Sequence, residues 1–120
     1  MSDDTKRLIA VNGPFTLYAL DEPDPNGGGA CHLYAIFDEE DNEVFRCHFQ
    51  QGPLKEAGPN GAPDLLVGYM LADRLAAFQE GTFASPFNEW ALNGLEVYTN
   101  SQRARNRDRE ERQVEGHNKK

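Results

Sequence analysis

A length of 120 residues predicts one domain spanning 1–120 rather than a multidomain enzyme. Twelve Lys and Arg against twenty Asp and Glu leave a formal net charge of −8, which argues against a generic binder of nucleic acid or membrane surface. A hydrophobic fraction of 38% supports only a lean core, so burial against a partner is expected.

No run approaches the roughly 18 apolar residues of a membrane span, and the N-terminus is polar and acidic, without a signal-peptide core. Cys31 and Cys47 do not make a disulfide framework. The expected compartment is a reducing cytoplasm.

The first half reads as strands, about residues 7–50. Leu8 to Val11 and Phe15 to Leu20 flank Asn12-Gly13 and predict a hairpin, with Pro14 at its edge. Asp21 to Gly29 is a loop by composition. Its three glycines are not a phosphate loop, because no Lys-Ser or Lys-Thr follows them. Cys31 to Phe37 and Val44 to Gln50 predict a second hairpin around the acidic turn Asp38 to Glu43.

Gln51 to Pro63 reads as a connecting loop, after which the period changes. Leu66, Tyr69, Met70, Asp73 and Ala77 fall at helical spacing and predict a first helix over 63–80. Pro63 suits its first position and Gly81 its C-cap. A second helix over 86–112 begins with Ser85 as N-cap, Pro86 first and Asn88 third. Phe87, Ala91, Leu95 and Tyr98, flanked by Trp90 and Val97, predict its core-facing side. Residues 113–120 read as a tail. The fold class is α+β: an N-terminal antiparallel β-sheet, then a helical hairpin with a long C-terminal helix.

Charge is uneven along the chain. Residues 1–100 carry a net charge of −11 and residues 101–120 a net of +3. Arg105, Arg109 and Arg112 recur at i, i+4 and i+7 and share a helix face. Stacked guanidinium groups repel unless an anion or carboxylates intervene, so the triplet is compatible with a phosphate-bearing ligand and equally with a solvated helix end.

Other constellations fail on geometry. Cys31-His32 and Cys47-His48 invite a metal hypothesis, but neighbours in a strand point to opposite faces, so neither pair easily chelates one ion. The same divergence separates any nucleophile from a base. The acids Asp38 to Glu43 lack calcium-loop spacing. No catalytic residue, metal site or cofactor is expected.

Phe49-Gln50-Gln51-Gly52-Pro53-Leu54-Lys55-Glu56, with Gly58 and Asn60-Gly61, resembles the loop signature of the phage anti-Thoeris signal sponges. Asp73-Arg74-Leu75, Phe78-Gln79, Gly81, Phe83, Asn88, Arg105 to Arg109, Arg112 and Val114-Glu115-Gly116 continue the resemblance in order. It covers about residues 45–117. Gln113, His117 and the stretch Ser85-Pro86-Phe87 depart from the family pattern.

The resemblance implies a homodimer or higher homo-oligomer in the host bacterial cytoplasm, with neither membrane nor nucleic acid as partner. It implies binding and sequestration, without cleavage, of a glycocyclic ADP-ribose signal made by Thoeris TIR proteins. Some members of the family also take cyclic oligonucleotides. By motif position, Phe78 corresponds to the aromatic that packs on the base, Asn88 to a polar contact, and Arg105 and Arg109 to the phosphate-binding arginines. Without the family, Phe78 reads as a core aromatic, Asn88 as a capping partner of Ser85, and the arginines as a solvated end.

Spacing adds one constraint. Asn88 and Arg105 are about 25 Å apart along a straight helix, so one small nucleotide does not span them within one chain. An antiparallel partner helix would bring Arg105 and Arg109 of one chain to Phe78 and Asn88 of the other.

Overall fold

The computed structural model describes residues 6–112, so the Val114-Glu115-Gly116 stretch and the predicted tail lie outside the described residues. The chain divides into two compact units, residues 1–62 and 63–120.

The first unit is a four-stranded antiparallel meander in the order β1-β2-β3-β4: β1 Arg7–Asn12, β2 Phe15–Ala19, β3 Leu33–Phe37 and β4 Glu43–His48. Both predicted hairpins form. The first turn is Gly13-Pro14 rather than Asn12-Gly13, because Asn12 pairs with Phe15 across it. Gly13 takes φ +60° and Pro14 supplies the negative φ that follows, an order that matches the twist of a tight hairpin.

The β1–β2 register slips between Leu8 and Ala10, and the β3–β4 register slips at Ile36/Phe37. In the second turn, the Asp38 carboxylate accepts from the Glu40 and Asn42 backbone N–H groups. Asp41 takes φ +66°. The Asn42 bond, above all, holds the Asp38 carboxyl below its usual range.

The loop between β2 and β3 contains a single 3-10 turn, Pro25–Gly27, capped by Asp24. Two acids bind it to the start of β3. The Asp21 carboxylate accepts from the backbone N–H groups of His32 and Leu33, and the Asp24 carboxylate lies 3.2 Å from His32 Nε2. Burial alone would raise the Asp24 pKa. Hydrogen bonds from His32, the Asn26 N–H and Gln51, with the charge of His32, outweigh it and hold the group low. Ala19, Leu20, Cys31, His32 and Ala35 are the buried residues here.

The second unit is a helical hairpin. A short helix in the preceding loop, Leu54–Ala57, is α1; α2 is Asp64–Glu80 and α3 is Pro86–Glu111. Pro63 is the N-cap of α2 rather than its first residue, and Gly81 closes α2 in an extended conformation instead of a left-handed one. Ser85 caps α3 with Pro86 first, as the sequence predicts.

The packing faces differ from those predicted. Leu66, Tyr69, Met70, Asp73 and Ala77 are all exposed. On α2 the covered positions are Leu65, Gly68, Ala72, Leu75, Ala76 and Gln79; on α3 they are Asn88, Leu92, Leu95, Thr99 and Gln102.

The reason is size. Gly68, Ala72 and Ala76 recur every four residues and let α3 approach closely. A Cβ at Gly68 would lie 2.8 Å from the Tyr98 ring and 3.2 Å from Thr99 Cγ2. Of the predicted α3 face, only Leu95 is covered. Phe87, Trp90 and Val97 are 73%, 66% and 66% exposed. Burial first, then the Asp64 carboxylate, push the Tyr98 phenol above its ordinary pKa.

Candidate functional site

The loop that carries the most distinctive part of the resemblance is held together by its own polar groups. Gln50 Nε2 donates to the Gly58 and Gly52 carbonyls, and its Oε1 accepts from the Asn60 N–H. Asn60 returns the arrangement to Gln51: its Oδ1 accepts from the Gln51 N–H and its Nδ2 donates to the Gln51 carbonyl, at 2.8 and 2.7 Å.

Gly52 and Gly58 take positive φ, which L side chains rarely adopt. Gly61 leaves no room for a side chain, since a Cβ there would lie 2.5 Å from the Phe49 backbone. The Ala62 N–H donates to the His48 carbonyl and the Gln50 N–H to the Ala62 carbonyl, closing the loop onto the end of β4. These motif residues therefore position backbone.

In the helical unit, Phe78 and Asn88 come together at the hairpin turn. Phe78 packs edge-to-face on Phe83, with centroids 6.3 Å apart. Asn88 Nδ2 donates to the Phe83 carbonyl at 3.0 Å. The Ser85 hydroxyl accepts from the Asn88 N–H, so half of a capping box is present. The other half comes from α2: Gln79 Oε1 accepts the Ser85 N–H at 2.9 Å. The cap thus fixes Asn88 to the turn and the turn to α2. Phe78 is half-buried, neither a core residue nor an open platform.

Sequence reading missed one residue at this end. The Arg74 guanidinium lies over the Phe78 ring, 5.5 Å from its centroid. It comes from the preceding helical turn, and the i, i+4 spacing of Arg74 and Phe78 was the available clue. A cation and an aromatic therefore stand side by side at the hairpin turn.

Arg105 and Arg109 are not brought to that turn within one chain. Gly68 faces Tyr98 and Thr99, so the start of α2 at Asp64 lies level with about Gln102 or Arg103. Everything after that in α3 runs past α2 by about 10 Å. Arg105 is exposed and Arg109 half-buried on this overhang. Arg112 closes the helix and pairs with Asp108 at 3.1 Å, an i, i+4 pair of modest worth. Arg103 donates to Asn100.

The Cys-His pairs do not gather into a site. Cys31 Sγ lies 3.3 Å from the Asp21 carbonyl, and His32 is held by Asp24. Cys47 pairs across the sheet with Tyr34, and His48 with Leu33. Among the described residues, no three His, Cys, Asp or Glu side chains converge as metal ligands.

A groove of about 410 Å³ on the sheet is lined by Ala10, Val11, Phe15, Leu17, Ile36 and Val44, and none of the predicted site residues reaches it. No helix among the described residues is long and apolar enough to cross a membrane. A scan against protein-family models finds no match to the chain, and a search of curated proteins finds no significant similarity.

Proposed function

We propose that the chain is a phage anti-defence protein that binds a cyclic ADP-ribose-derived signalling nucleotide and withholds it, uncleaved, from the Thoeris effector. The observation that carries the reading is the ordered set of motif residues from Phe49 to Arg112. What supports it physically is the chemistry of the four residues and of Arg74 beside them.

A base offers its π-face to Phe78, and such stacking is worth about 1–3 kcal/mol per base. Arg105 and Arg109 supply planar donors for a diphosphate. Asn88 Oδ1 accepts from a ribose or base donor while Nδ2 holds the turn. Arg74 adds a cation at the aromatic end.

The distance between the two ends of α3 sets the assembly this reading needs. The overhang carrying Arg105 and Arg109 is completed by the hairpin turn of a second copy, so the ligand lies between two chains. The chain works in the host bacterial cytoplasm and acts stoichiometrically, with no chemical step.

Calorimetry of the purified protein with glycocyclic ADP-ribose tests this, followed by heat denaturation and chromatography of the released nucleotide. Tight binding with unchanged ligand recovered supports a sponge. A changed product would replace it with a degrading enzyme. A second reading is favoured by Ser85-Pro86-Phe87, which departs from the family pattern beside Asn88: a sponge for cyclic di- or trinucleotides. A panel of those ligands in the same calorimeter separates the two.

A further inference from the structure

The helix α3 is apolar on two sides, and α2 covers one. The other side carries Phe87, Trp90, Gly94, Val97, Ser101 and Ala104, all exposed. Their spacing alternates three and four residues, which is the seam period of paired helices. The large residues cluster at one end of this stripe and the small ones at the other, with Gly94 and Val97 between them. Phe87 and Trp90 already lock edge-to-face at 5.5 Å. Gly94 has nothing within 4 Å of where a Cβ would stand, so it is a notch open to solvent.

We infer that this stripe is a self-association surface on which a second copy of the chain packs antiparallel, in one register. That register sets Phe87 against the partner's Ala104, Trp90 against the partner's Ser101, and Gly94 against the partner's Val97. Each layer then pairs a large side chain with a small one, and the two-fold axis generates the reciprocal three layers. The seam runs from Phe87 to Ala104, about 26 Å.

A parallel pairing fails on size. It sets Trp90 on Trp90 and Gly94 on Gly94, leaving a hole between bulges. Charge points the same way. The first half of α3 carries Glu89 and Glu96, and the second half Arg103, Arg105, Arg107 and Arg109. An antiparallel partner lays acid beside base, with Glu89 near the partner's Arg103, where a parallel one stacks like on like. The same register sets Arg105 beside the partner's Pro86, in the helical turn that holds Asn88. The seam itself does not depend on what ligand is bound.

The protein carries its own reporter, since Trp90 is its single tryptophan and stands in the seam. In the full chain without nucleotide, the Trp90 emission maximum should move to longer wavelength on dilution. The midpoint should match the dimer-to-monomer transition by analytical ultracentrifugation. A monomer at several hundred micromolar would overturn the proposal.

The register is tested at the notch. Gly94→Leu should weaken the dimer about tenfold or more, because Leu meets the partner's Val97, while helical circular dichroism is retained. Adding Val97→Ala in the same chain should restore most of the loss. A Gly94→Leu chain that dimerises as tightly as the parent, or more so, would show a non-specific greasy contact and refute the register.

Discussion

The two interior helical glycines offer a test of the hairpin, because they share a local cost and differ in surroundings. Gly68 lies in α2 and Gly94 in α3. Replacing either with Ala gains about 1 kcal/mol of helix propensity. At Gly94 nothing stands within 4 Å of the new Cβ, so that gain is realised in full. At Gly68 the new methyl would lie 2.8 and 2.9 Å from Tyr98 ring carbons and 3.2 Å from Thr99 Cγ2.

Tyr98 is 38% exposed and can swing outward, but Thr99, at 5%, cannot yield without moving α3. Overpacking of this kind costs about 1–3 kcal/mol. Gly68→Ala should therefore be destabilising by up to about 2 kcal/mol, and Gly94→Ala stabilising by about 1 kcal/mol. Urea unfolding followed by circular dichroism, at concentrations where the chain is monomeric, reads both, and the m-value should not change. Equal stabilisation by the two substitutions would refute the close approach of α2 and α3 at Gly68, and with it the placement of Arg105 and Arg109 beyond the end of α2.

Four further outcomes are expected. Arg105→Ala and Arg109→Ala should each weaken nucleotide binding by about 1.5–3 kcal/mol in calorimetry, the worth of a charged hydrogen bond, with unfolding midpoints unchanged. Parent-like affinity in both removes their assigned role. Gly61→Ala should destabilise the sheet unit by more than Gly68→Ala does the hairpin. Its Cβ would strike the Phe49 backbone at 2.5 Å, and relief breaks the bonds between Ala62 and the end of β4; a neutral result in thermal unfolding rejects that close approach.

Ser85→Ala should cost about 1 kcal/mol of hairpin stability, since the hydroxyl caps the Asn88 N–H, and urea midpoints measure it. Asp38 has its folded pKa below the ordinary carboxylate value, so its contribution is fully present above about pH 4 and is lost as pH falls through the lower folded value. Asp38→Asn keeps an acceptor for the turn, so it should flatten the acid limb of a stability–pH curve between about pH 4 and 2; an unchanged slope assigns the limb elsewhere.

The sequence alone determined the elements and their order. Alternating strands, turn residues and the Ser85-Pro86 start of α3 are local properties, set by backbone sterics and by which orphan N–H groups a short side chain can satisfy. Those choices need no knowledge of the rest of the chain, and the structure has them within a residue or two.

Faces and neighbourhoods were decided only in three dimensions. The spacing of Leu66, Tyr69 and Met70 on α2, and of Phe87 and Tyr98 on α3, identifies apolar sides correctly, but both helices are apolar on more than one side. Periodicity cannot rank two such sides. Close packing can, and it selects the small residues Gly68, Ala72 and Ala76, because van der Waals contact rewards the nearest approach rather than the greasiest stripe.

For the candidate site, the residue types were legible, and so was the distance from Asn88 to Arg105. The seat of Arg74 on Phe78 and the Gln79 bond that completes the Ser85 cap were not. Each of these depends on the direction in which a side chain leaves its helix and on what the fold has placed within hydrogen-bond reach.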